Sequence, residues 1–136
     1  MIYVLDASIV LTVILEMKPK LVEDIKTLLR SAKNGKYKLI SSDFLKIEVA
    51  NGLRFNEKNK NKAEKLFQHY VNLPIAYLPL ETVILEKSLS TAFVLGTTVY
   101  DTSYHILAKA QGAIFLTCDS EYYKKAKELG DIELIS

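Results

Sequence analysis

Five short apolar runs punctuate this chain, and the segments between them carry helical spacing. Ile2–Leu5, Tyr37–Ile40, Ile75–Leu78, Ala113–Thr117 and Ile132–Ile135 are rich in β-branched and aromatic residues with almost no polar alternation. That pattern marks strands buried on both faces. Between them the sequence predicts helices from Ala7 to Leu15, from Pro19 to the Asn34-Gly35 stop, and over FLKIEVANGLRF from Phe44 to Phe55. Further helices are expected from Ala63 to just before Pro74, from Glu81 to Leu95, from Thr98 to Ala110 and from Asp119 to Leu129. The second of these shows the amphipathic signature plainly, with Leu21, Val22, Ile25, Leu28 and Leu29 recurring at helical intervals. Ser41-Ser42-Asp43 supplies capping chemistry for the Phe44 helix, and the Lys- and Asn-rich stretch Asn56–Lys62 reads as a break.

Buried strands that alternate with helices predict an α/β sandwich with a mainly parallel central sheet. The chain has 136 residues, no internal repeat and no linker long enough to divide it, so one domain spanning residues 1–136 is expected. Eighteen Lys and Arg against sixteen Asp and Glu leave a net charge of only +2, so any nucleic-acid contact must come from local clustering rather than bulk charge. A single cysteine, Cys118, excludes an internal disulfide and a thiolate zinc site. The apolar N-terminal run has no basic leader and carries Asp6 within it, which argues against a secretion signal and for a cytoplasmic, membrane-free protein.

In parallel sheets, ligands bind outside the carboxyl ends of the strands where the strand order reverses. Asp6 ends the first apolar run and Asp119 follows the fourth. Each has an ordinary explanation as a helix N-cap, worth about 1 kcal/mol. Asp101 stands in a Thr98-x-x-Asp101 capping pattern, and His105 shares its helix face as a potential hydrogen-bonding neighbour. Glu48 is less easily explained, because Phe44, Leu45 and Ile47 surround it on the apolar side of its helix. A carboxylate there needs a cation, either a bound metal or a basic side chain, of which Arg54 is nearest in sequence. Several carboxylates brought together repel unless protons or a metal neutralise them, and oxygen-only donors select a hard divalent cation, Mg²⁺ or Mn²⁺.

Four blocks carry a family resemblance: LDAS at Leu5–Ser8, FLKIEVANGLR at Phe44–Arg54, TTVYDTSYHILAKAQG at Thr97–Gly112 and LTCD at Leu116–Asp119. In this order and spacing they resemble the PIN-domain nucleases, and within them the VapC-like toxins of toxin–antitoxin pairs. The resemblance implies a three-layer α/β/α sandwich and an acidic site of Asp6, Glu48, Asp101 and Asp119 that holds Mg²⁺ or Mn²⁺, with Ser8 and Thr117 as supporting hydroxyls. It implies hydrolysis of RNA by a metal-activated water, an antitoxin partner and a homodimer. Arg54, Lys58, Lys60 and Lys62 are the candidate RNA contacts, and Tyr100 and Tyr104 are either base-stacking groups or core. Two other readings remain open at this point. One is a non-catalytic PIN-like module that binds RNA or protein. The other is a haloacid-dehalogenase-like phosphohydrolase, disfavoured because that chemistry wants D-x-D where this chain has Asp6-Ala7-Ser8.

Overall fold

The computed structural model describes residues 1–136. The elements run β1 (Ile2–Leu5), α1 (Ala7–Ile14), α2 (Pro19–Lys33), β2 (Lys38–Ser42), α3 (Phe44–Asn56), α4 (Lys60–Val71), β3 (Ile75–Leu78), α5 (Thr82–Leu95), α6 (Val99–Ala110), β4 (Ile114–Thr117), α7 (Ser120–Ala126) and β5 (Ile132–Leu134). The strands form one sheet in the order β3-β2-β1-β4-β5, and all four pairings are parallel.

That order follows from the connections. Two successive crossovers step from β1 to β2 to β3, and the chain then returns past its start to place β4 and β5 on the other flank. Right-handed crossovers in opposite directions put their helices on opposite faces, which makes the expected three layers. Strand alternation shows in the packing. Leu5, Leu39 and Leu116 meet Ile9 and Val13 of α1 and Val22 and Ile25 of α2. Val4, Ile40 and Phe115 join Tyr104 and Ala108 of α6 and Tyr122 and Ala126 of α7, in a cluster that continues into Leu45, Val49 and Leu53 of α3. No helix is long and apolar enough to cross a membrane.

Local chemistry shifts three expected boundaries. Asn59 caps α4 by accepting the Lys62 N–H at 3.0 Å, so that helix begins inside the stretch expected to be a break. Ser41 and Ser42 extend β2, and the Asp43 carboxylate takes Lys46 Nζ at 3.0 Å rather than a backbone N–H, so the expected side-chain cap of α3 is not made. The last helix is α7 followed by a separate 3₁₀ turn at Lys127–Leu129. α1 packs closely on α3 at Gly52, where an added Cβ would lie under 3.0 Å from both Leu11 methyl carbons and that side chain would have to shift.

Candidate functional site

The crossovers reverse direction between β1 and β4, and the acid that follows each strand starts the next helix. Asp6 Oδ1 accepts the Ile9 N–H at 3.2 Å. Asp119 Oδ1 accepts the N–H groups of Glu121 and Tyr122 at 3.0 and 3.1 Å. Both acids are therefore true N-caps through Oδ1, and each has a second oxygen that the cap does not use.

Asp6 is 7% exposed. Ser8 Oγ donates to its Oδ1 at 2.5 Å and Thr117 Oγ1 donates to its Oδ2 at 2.6 Å. Ser8 Oγ also accepts the Cys118 N–H at 2.9 Å, tying the start of α1 to the end of β4, and Thr117 Oγ1 accepts the Asp119 N–H at 3.0 Å within the turn that follows β4. Burial pushes the Asp6 carboxyl up to about 6 against the pull of these hydrogen bonds, and the charge of Asp101 adds to the rise.

Glu48 reaches in from α3, half-buried, and accepts the phenol O–H of Tyr104 from α6. Its compensation is thus a neutral donor, not the Arg54 cation that the sequence offered. Arg54 lies against the Phe55 ring instead, with its guanidinium carbon 5.2 Å from the centroid. Burial raises the Glu48 carboxyl and Asp101 raises it further, while the Tyr104 bond lowers it. Asp101 stands in the first turn of α6, where its N–H donates to Thr98 Oγ1 at 3.1 Å as the capping pattern predicted. Its own carboxyl is raised by burial and then by Asp119. Asp101 is therefore electrostatically coupled to each of the other three acids.

As the side chains stand, no three acidic, His or Cys groups converge into a ready-made ligand cage. The donor chemistry nonetheless fits a hard divalent cation. It is all oxygen, three of the four carboxyls are held above their ordinary range, and no Lys or Arg forms an ion pair with any of the four.

The remaining candidates are dispersed. His105 does not pair with Asp101; it is fully buried, with Nδ1 2.9 Å from the Tyr122 hydroxyl and Nε2 2.7 Å from the Gly130 carbonyl oxygen. Burial lowers its pKa, consistent with a neutral ring that braces α6 on α7. Tyr104 is core, whereas Tyr100 is 61% exposed and stacks on Phe44 with centroids 5.1 Å apart. Arg54, Lys58 and Lys60 line a cavity of about 740 Å³ between α3 and α4, together with Leu53, Phe67 and Glu64. Lys60 pairs with Glu64 at 2.7 Å and Lys62 with Glu57 at 3.6 Å, so two of the four proposed RNA cations are already partnered. Arg54 follows Glu48 by six residues of helix, or about 9 Å. Two relevant residues escaped the sequence reading as site members: Tyr104 as the donor to Glu48, and Ser42, whose buried hydroxyl has no partner.

The sequence model of the PIN domain matches residues 3–128, nearly the whole chain. The chain belongs to the PIN domain family. PIN domains are generally nucleases and typically depend on a divalent metal. The fold also resembles that of the toxin–antitoxin complex VapBC2 from Rickettsia felis, solved bound to a fragment of its promoter DNA. That match has a TM-score of 0.72 at 15% identity and covers 100% of both chains. PAE2754 from Pyrobaculum aerophilum matches with a TM-score of 0.63 at 22% identity, over 93% of this chain and 89% of that one. No curated protein is a significant sequence match. Membership of the PIN domain family over residues 3–128 disfavours the dehalogenase-like reading.

Proposed function

We propose that this PIN domain is a metal-dependent ribonuclease and the toxin of a toxin–antitoxin pair. The observation that carries the reading is the coupling of Asp6, Glu48 and Asp119 to Asp101 at the carboxyl edge of the sheet, with no basic side chain compensating them. Asp6, Glu48, Asp101 and Asp119 would hold one or two Mg²⁺ or Mn²⁺ ions. When bound, such ions polarise a phosphodiester oxygen, lower the pKa of a water and stabilise the leaving oxyanion.

The protein's own groups do the rest. Ser8 and Thr117 hold both oxygens of Asp6 in one orientation, so its carboxylate is presented without side-chain reorganisation. Tyr104 fixes the Glu48 carboxylate by hydrogen bonding. Burial raises the Asp6 carboxyl to about 6 and those of Glu48 and Asp101 in the same direction, and a carboxylate of raised pKa is a better acceptor for the proton of an attacking water. Single-stranded or looped RNA offers an accessible backbone and unstacked bases. The Phe44–Tyr100 stack presents one exposed aromatic face to such bases, and Arg54 and Lys58 are cations free to meet phosphates.

A protein antitoxin is the partner that the VapBC2 likeness suggests. A homodimer fits the stripe of Leu85, Leu89 and Phe93 on α5, which recurs at four-residue spacing and is 42%, 51% and 83% exposed. The free Cys118 suits a reducing cytoplasm. Incubating purified protein with a total-RNA pool tests the activity. Cleavage with Mg²⁺ or Mn²⁺ that stops on adding chelator is expected, and intact RNA under every metal condition would leave only the non-catalytic binding module.

A further inference from the structure

β2 ends in two buried serines whose hydroxyls are treated differently. Ser41 Oγ donates to the Leu5 carbonyl at 2.7 Å. Ser42 Oγ is fully buried and has no hydrogen-bond partner, alone among buried side-chain polar atoms. Such an orphan in a native fold marks a place for a water, an ion or a ligand oxygen.

The sheet register says where it points. β1 and β2 pair with Val4 opposite Ile40, and Asp6 keeps an extended backbone at φ −100°, ψ 179°. Continuing that register two steps, past the last paired residues, sets Ser42 beside Asp6, and lateral neighbours in a parallel pair project to the same face. The other flank obeys the same rule. Leu5 pairs with Leu116, which sets Thr117 beside Asp6, and there the hydroxyl does reach the carboxylate. Asp6 is thus flanked by two hydroxyls. Its Oδ1 is occupied by Ser8 and the Ile9 N–H and its Oδ2 by Thr117, so Ser42 is left over.

We propose that Ser42 is a positioning residue of the acidic site, whose hydroxyl hydrogen-bonds a water in the hydration shell of the divalent ion on the β2 side. This rests on the metal-binding reading above. Mg²⁺ and Mn²⁺ sites of few carboxylates retain waters, and groups that orient such waters are part of the site. A neutral hydroxyl adds that contact without adding charge to a cluster that is already repulsive.

The test measures Mn²⁺ affinity by calorimetry and urea stability on the metal-free protein, for wild type, Ser42→Ala, Ser42→Thr and Ser41→Ala. Ser42→Ala is expected to keep or raise the metal-free urea midpoint, because it deletes an unpartnered group, while binding Mn²⁺ roughly tenfold more weakly. Ser42→Thr restores the affinity. Ser41→Ala shows the opposite pattern, a lower midpoint with unchanged affinity. Equal Mn²⁺ affinity in Ser42→Ala and wild type overturns the assignment alone. A wild type that binds no Mn²⁺ overturns the metal reading and this assignment with it.

Discussion

Thr117 Oγ1 donates to Asp6 Oδ2 at 2.6 Å, joining residues 111 positions apart in sequence. The bond exists because β4 pairs directly with β1, and the same hydroxyl accepts the Asp119 N–H. One side chain therefore orients the first acid of the site and the turn that presents the last. Thr117→Val, which keeps the shape and deletes the hydroxyl, is expected to cost about 1–3 kcal/mol in urea denaturation and to weaken Mn²⁺ binding.

The metal-free protein should lose stability as pH rises through the acid range. The Asp6 carboxyl stands at about 6 in the folded state against an ordinary 3.8. The native state therefore holds its proton where the unfolded chain releases it. Stability from this group is complete below about pH 4 and is lost between about 4 and 6, by about 3 kcal/mol at most. Glu48 and Asp101 shift in the same direction and steepen the slope. Denaturation midpoints across this window should fall with pH in wild type and flatten in Asp6→Asn.

Tyr104→Phe removes the donor to Glu48 from the interior without changing packing volume. Because that bond lowers the Glu48 pKa, its loss should move the acidic limb of the cleavage pH profile upward and leave the far-ultraviolet circular dichroism unchanged.

Gly52→Ala sets two effects against each other. Ala gains up to about 1 kcal/mol of helix propensity over Gly, but its Cβ meets the Leu11 methyls inside contact distance, and such overpacking costs about 1–3 kcal/mol. A net loss in thermal stability is expected, and in the Leu11→Ala background the same substitution should cost less or become favourable.

Phe93→Glu puts a charge on the most exposed residue of the α5 stripe. The proposed homodimer predicts that light scattering gives a dimer for wild type and a monomer for Phe93→Glu, with secondary structure intact; equal masses would overturn the α5 interface.

The architecture was largely legible in the sequence because its signals are local. Two-sided apolar strands such as Ile2–Leu5 and the glycine stops at Gly96 and Gly112 report the α/β alternation without knowledge of the tertiary fold. Where a boundary moved, a single side chain decided it, as when Asn59 took the Lys62 N–H and started α4 early. The candidate acids could be picked out in the sequence, but the contacts around them could not. That Asp101 is coupled to all three others, that Tyr104 serves Glu48, and that His105 turns away to Tyr122 and Gly130 all depend on packing between distant segments. Ser42 left no local trace, since a serine before a helix reads first as a cap.

The central claim is that the acids gathered about Asp101 form a hydrolytic metal site. The direct measurement is the rate of single-stranded RNA cleavage in Mn²⁺ by wild type and Asp101→Asn, with calorimetric Mn²⁺ binding on the same preparations. Asp101→Asn preserves the side-chain volume and leaves the backbone N–H of residue 101 to donate to Thr98 Oγ1. A folded variant with weakened Mn²⁺ binding and a cleavage rate lower by about 10²-fold or more is the expected result. Cleavage that persists at the wild-type rate in the folded variant would contradict the account.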